Sequence, residues 1–120
     1  MSTNSSISIV NQDTQKIHTI YCHWDGYLDW NGKILKEQFN SYKEAFGLIE
    51  NGDLSSINED GSVVSYHKDR QEDWVDVQPQ ISDNIAQAMK CFEQEYNYLF
   101  KDNAWKLVKT DSVLTIIEEY

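Results

Sequence analysis

The chain has 120 residues, 40% hydrophobic and 12% aromatic, with one proline and five glycines. That composition fits a single globular domain with a core and leaves no room for a low-complexity linker. Its formal charge of -10, from 20 acidic against 10 basic residues, excludes the basic footprint on which nucleic-acid and anionic-membrane binding depend.

The charge is spread evenly. Residues 1–60 hold nine acids and four bases, and residues 61–120 hold eleven and six, so each half carries -5. Such a domain is drawn to basic protein surfaces, including those that normally hold nucleic acid. Cys22 and Cys91 stand far apart, so neither a disulfide framework nor a zinc knuckle is expected. Residues 1–6 are polar and expected to fray. No run approaches the ~18 apolar residues of a membrane span. The expected setting is a reducing cytoplasm, without membrane or cofactor.

In chain order, Ile7, Ile9 and the run Ile17-His18-Thr19-Ile20-Tyr21 flank a polar turn, Asn11 to Lys16. This predicts an N-terminal hairpin. After Gly26, Ile34, Leu35, Gln38 and Phe39 fall at helical spacing, and so do Ala45, Phe46, Leu48 and Ile49. Asn51-Gly52 closes the second helix. Asp53 to Ile57 reads as a turn or a single helical turn. Ser62 to His67 predicts a strand, and Trp74, Val75 and Val77 an extended segment before Pro79. Asp83 is a candidate N-cap for a helix carrying Ile85, Ala88, Met89, Phe92 and Tyr96 on one face. Tyr98 to Phe100 and Trp105 to Val108 flank a turn at Lys101 to Asn103, a second hairpin. Val113 to Ile117 is open between strand and helix. The order ββ-αα-β-α-ββ predicts an α+β fold, a small antiparallel sheet with two to three helices packed on it.

The segment Ile20-Tyr21-Cys22-His23-Trp24-Asp25-Gly26-Tyr27 concentrates aromatics, a histidine, an aspartate and a glycine at a strand end. It recurs with Asn31 to Leu35, Gly52 to Ser56, Tyr66 to Trp74 and Glu95 to Asp102 in an order that resembles a family of small acidic proteins of bacteriophages and other mobile elements. The resemblance covers nearly the whole chain, matches least after Thr110, and implies a bacterial host cell. It brings no biochemical activity and no catalytic residue. Where similar proteins tend to carry glycine after the Asp-Arg pair, this chain has Gln71.

Among candidate sites, Cys22, His23 and Asp25 are metal-ligand types, but Cys22 and His23 point to opposite faces of a strand. His18 shares a face with Cys22 yet lies roughly 13 Å away along the strand, so no metal site is assigned. A Cys22 nucleophile with His23 or His67 as base needs a low-pKa thiol. Acidic surroundings work against one, and no catalytic residue is assigned.

Two acidic-aromatic segments remain. Asp69, Glu72, Asp73 and Asp76 surround Trp74, either as a solvated loop in which Arg70 pairs with an acid or as carboxylates shown to a basic partner. Asp25, Tyr27, Asp29 and Trp30 form the second, with Tyr21 and Trp24 expected to pack and Tyr27 and Trp30 at the rim. One reading is a non-enzymatic acidic protein that binds and inhibits or modulates a basic host protein, such as a nucleic-acid-directed defence or replication factor. The other is a small-ligand, nucleotide-like binding module or simple enzyme built on the aromatic and histidine cluster.

Overall fold

A computed structural model describes residues 2–110 and 115–120. The fold is α+β. The sheet, however, has eight strands and is mixed, larger than the expected antiparallel one. β1 (Ser5–Val10) and β2 (Ile17–Cys22) form the N-terminal hairpin. Two helices follow, α1 (Lys33–Gln38) and α2 (Tyr42–Ile49). They lead into β3 (Leu54–Ile57), parallel to β2, and β4 (Val63–Ser65), antiparallel to β3. A single helical turn, α3 (Trp74–Val77), precedes β5 (Gln80–Ser82), which pairs with β2. The short α4 (Ile85–Ala88) runs through a 3-10 turn at Met89–Cys91 to β6 (Tyr96–Lys101). β6, β7 (Ala104–Thr110) and β8 (Thr115–Glu119) close the sheet in the order β4-β3-β2-β1-β6-β7-β8.

Strand alternation divides the side chains between two unequal faces. Ile7, Ile9, Ile20, Cys22, Leu54, Tyr98, Phe100, Trp105 and Leu107 meet Ile34, Leu35, Ala45, Leu48 and Ile49 of α1 and α2 in the main core. The second face is smaller: Ile17, Leu99 and Val108 against Ala88 and Phe92. His18 lies with Cys22 on the helical side and rests on Phe46. α2 starts at a capping box, where the Glu44 N–H donates to Ser41 Oγ and that hydroxyl donates to Glu44 Oε1. Gly52 ends it at φ +74°.

Several expectations change for stated reasons. Within Asp53 to Ile57, Leu54–Ile57 is a strand because β4 supplies an antiparallel neighbour and β2 a parallel one. Strand β4 stops at Ser65, and Trp74 to Val77 is helical where extension was expected. The helix expected over Ile85 to Tyr96 ends after one turn, because Tyr96 is claimed by the ladder of β6 on β1. Its cap is Asn84, whose side chain accepts from the Gln87 N–H, and not Asp83. Ser5 and Ser6 are buried in β1, held beneath the Gly26 corner, where fraying was expected. The described part of the final run, Thr115–Glu119, is strand; Val113 lies outside the described residues.

A left-handed backbone decides two positions. At Gly52 an added Cβ would lie 2.5 Å from the Val77 carbonyl oxygen and 2.9 Å from the Trp74 ring. Gln71 adopts φ +58°, a conformation that costs a residue with a side chain about 1 kcal/mol or more. Urea unfolding should therefore separate two variants. Gly52→Ala should lose about 2 kcal/mol or more, while Gln71→Gly should be neutral or gain up to about 1 kcal/mol. A neutral Gly52→Ala would contradict the packing of Trp74 on Gly52.

Candidate functional site

The strand end at Cys22 turns into a corner that is filled from within. Cys22 is fully buried, and burial pushes its thiol up to about 11, so it stays protonated near neutrality. Asn31 Nδ2 donates to Ser5 Oγ (3.3 Å), Cys22 Sγ (3.5 Å) and the Trp24 carbonyl (3.2 Å). The buried Tyr98 hydroxyl donates to the Gly26 carbonyl at 2.6 Å. Gly26 fits against the backbone of Asn4, where a Cβ would come within 2.9 Å. These contacts pack the corner among Asn4, Ser5, Asn31 and Tyr98.

Beyond the corner, the segment from Tyr21 to Trp30 is fastened along β3. The Tyr21 N–H donates to Asp53 Oδ1 (2.9 Å), the His23 N–H to the Leu54 carbonyl (3.1 Å), and the Trp24 N–H to the Ser55 carbonyl (3.0 Å). The Trp30 indole N–H reaches the Ile57 carbonyl at 2.9 Å. Trp30 is thus half-buried against the core, and its expected place at the rim is corrected. Trp24, expected to pack, is 42% exposed, its ring edge against His23. Tyr27 and Asp29 are exposed and Asp25 is half-buried, with the Asp25 carbonyl accepting from the Asn31 N–H.

The second acidic segment reaches the same strand from the other side. Arg70 does not pair with its acidic neighbours; it donates to Ser55 Oγ (3.2 Å) and lies over the Tyr66 ring, 5.4 Å from its centroid. Among the described residues the ion pairs are Lys16–Asp83, Lys106–Glu119 and Lys109–Glu118, and they leave all the singled-out carboxylates unneutralised. Asp69 has a structural part as well, since its Oδ2 accepts from the Ser65 N–H at 2.7 Å. Glu72, Asp73 and Asp76 are exposed. Trp74 rests on His67 and Gly52 and is 38% exposed, beside Val75 at 72%.

Asp53 joins the two segments. Besides holding Tyr21, its backbone N–H donates to the Val77 carbonyl (2.8 Å) and its carbonyl accepts from the Tyr66 N–H (3.2 Å). Burial pushes its carboxyl up to about 6; the Tyr21 N–H opposes that shift, and nearby Glu72 adds to it. Beside it lies a cleft of ≈ 120 Å³ lined by Thr19, Tyr21, Gln80, Lys90 and Cys91, well below the roughly 300 Å³ at which small-molecule pockets begin. Tyr21 and His23 share a hydrogen bond of 2.7 Å, hydroxyl to Nδ1. Among the described residues no three His, Cys, Asp or Glu side chains converge as a metal-binding group, and no helix is long and apolar enough to cross a membrane.

No protein-family model matches the chain, and no curated protein or solved structure shows significant similarity to it.

Sequence reasoning passed over Asp53, Ser55 and Asn31 as site residues. Only their proximity to Gly52 and Gly26 hinted at a tight approach. The raised carboxyl of Asp53 fixes the sign of a pH effect. Its contribution to stability is full below the unfolded value near 3.8 and is lost as pH rises through about 6. Asn at 53 keeps the acceptor for Tyr21 without the charge. Asp53→Asn should therefore melt together with the parent protein near pH 4 and above it near pH 8. Coincident melting at both would contradict the buried carboxylate.

Proposed function

We propose that the protein is a non-enzymatic acidic binding protein, whose target is a host protein with a basic, nucleic-acid-directed surface. The observation that carries the reading is the convergence of the two acidic-aromatic segments on Ser55. Trp24 is fastened to the Ser55 carbonyl and Arg70 to its hydroxyl. Five of the seven large apolar side chains exposed among the described residues, Trp24, Tyr27, Leu28, Trp74 and Val75, belong to these segments.

Each aromatic is interleaved with carboxylates that pair with no cation among the described residues: Asp25 and Asp29 on one side, Glu72, Asp73 and Asp76 on the other. Aromatic side chains are enriched among interface hot spots, and the net charge selects a basic partner. Asp69 contributes charge while holding the loop to Ser65. Trp30 ties this segment to the core: its indole N–H donates to the Ile57 carbonyl and its backbone N–H to the Tyr27 carbonyl. The resemblance to small proteins of phages and mobile elements supports a bacterial host cell as the setting. The left-handed Gln71, at the position where those proteins tend to carry glycine, fits the same loop. The competing ligand-module reading is weakened by the filled corner at Gly26.

The test is capture of basic proteins from bacterial lysate on the immobilised protein. Capture should fall as salt rises and should be competed by duplex DNA. Reversing Glu72, Asp73 and Asp76 to lysine, or Trp24→Ala, should weaken it about tenfold or more with circular dichroism unchanged. Salt-insensitive capture, or full retention by both variants, would overturn the proposal.

A further inference from the structure

On the face opposite α1 and α2, residues 83–95 run across the sheet between β5 and β6. Their buried attachment consists of Ala88 and Phe92, set against Ile17, Leu99 and Val108. Among the described residues the backbone bonds of this stretch close within it: the Ala88 N–H to the Asn84 carbonyl and the Phe92 N–H to the Met89 carbonyl. Its side-chain ties to the rest are few, and two of them join Gln94 to Asn97 of β6: the Gln94 N–H donates to Asn97 Oδ1 (3.2 Å) and Asn97 Nδ2 donates to the Gln94 carbonyl (3.0 Å). Thr110 Oγ1 donates to the Phe92 carbonyl (3.4 Å), Cys91 Sγ to Gln80 Oε1 (3.2 Å), and Asp83 meets Lys16 at 3.6 Å in an exposed pair.

The sheet beneath is polar and satisfies itself. Ser6 Oγ donates to Asn97 Oδ1 (2.7 Å), and the Ser8 and Thr19 hydroxyls share a bond of 2.8 Å. Lifting the cover leaves the Ser6, Ser8 and Thr19 hydroxyls paired and breaks only the two Gln94–Asn97 bonds, whose groups then meet water, so little of the polar network loses its partners. Cavities lie on either side of it: ≈ 120 Å³ beside Tyr21 and Asp53, and ≈ 410 Å³ beside Asn97 and Val108, with Gln94 lining both. The ends stay anchored, Ser82 on Ile17 and the Tyr96 N–H on the Asn4 carbonyl.

We propose that residues 83–95 are a strap that lifts as a unit while the sheet stays folded, merging the two cavities into one trough across the second face. The main core, where α1 and α2 bury a far larger set of side chains, holds the sheet together during the opening. Local openings of this kind draw on segments with few buried contacts. The proposal is independent of the acidic surface, which does not include the strap.

Native-state thiol labelling tests it in a Cys91→Ser, Val108→Cys protein. Position 108 lies under the strap, while Cys22 is buried on the opposite face. The thiol at 108 should react at least about 100-fold faster than Cys22, with a rate nearly unchanged by sub-denaturing urea. In the parent protein, limited chymotrypsin digestion should make its first cut after Phe92. Labelling of both thiols together with the same steep urea dependence, or a first cut within the sheet, would overturn the strap.

Discussion

β3 and the residue before it, Asp53, lie beside the end of β2 and the segment that follows, and four donors end on them: the Tyr21, His23 and Trp24 amides and the Trp30 indole, bound to Asp53, Leu54, Ser55 and Ile57. A chain leaving a strand end at a glycine corner would otherwise present unpaired N–H groups to a half-buried surface, at about 1–3 kcal/mol each. With β3 in place those groups are satisfied, and the corner can be closed from inside by Asn31 and the Tyr98 hydroxyl. The same strand carries the anchor for Arg70 and, through Asp53, the ties to Tyr66 and Val77. Both acidic loops therefore take their positions from one short strand.

The two faces of the sheet follow different physical rules. One is apolar and thick, built by helices whose capping box and left-handed glycine stop are local devices. The other pairs its hydroxyls within the sheet, shares the Asn97 amide with Gln94, and is covered by residues 83–95 with a small apolar footprint. The charge follows the loops and not the faces. Carboxylates that might have paired with Arg70 are left free because the guanidinium is taken by Ser55 and Tyr66. The loop keeps its charge, and Glu72 adds to the upward shift that burial imposes on the Asp53 carboxyl.

Both hairpins were legible in the sequence, because β-branched arms around a polar turn are a local signal. So were α1, α2 and the Gly52 stop. β3 was not. Asp53-Leu54-Ser55-Ser56-Ile57 has a polar centre, and its last four residues become a strand between two neighbours, β4 nearby in sequence and β2 more than thirty residues away. The apolar spacing of Ile85, Ala88, Met89 and Phe92 matched a helix, yet a strap that turns one side to a sheet needs the same spacing. The site was legible in its members more than its arrangement. Trp24 and Trp30 exchanged expected places because the Trp30 indole finds the Ile57 carbonyl, a contact that sequence spacing does not reveal.

The fastening of the Tyr21–Trp30 segment to β3 is the claim on which the rest stands, and amide hydrogen exchange at His23 and Trp24 measures it directly. The hydrogen bonds to Leu54 and Ser55 predict protection comparable to the central amides of β1 and β2, although both residues lie beyond the end of a strand. Exchange at the rate of an open loop would contradict the fastening, and with it the single surface built on Ser55.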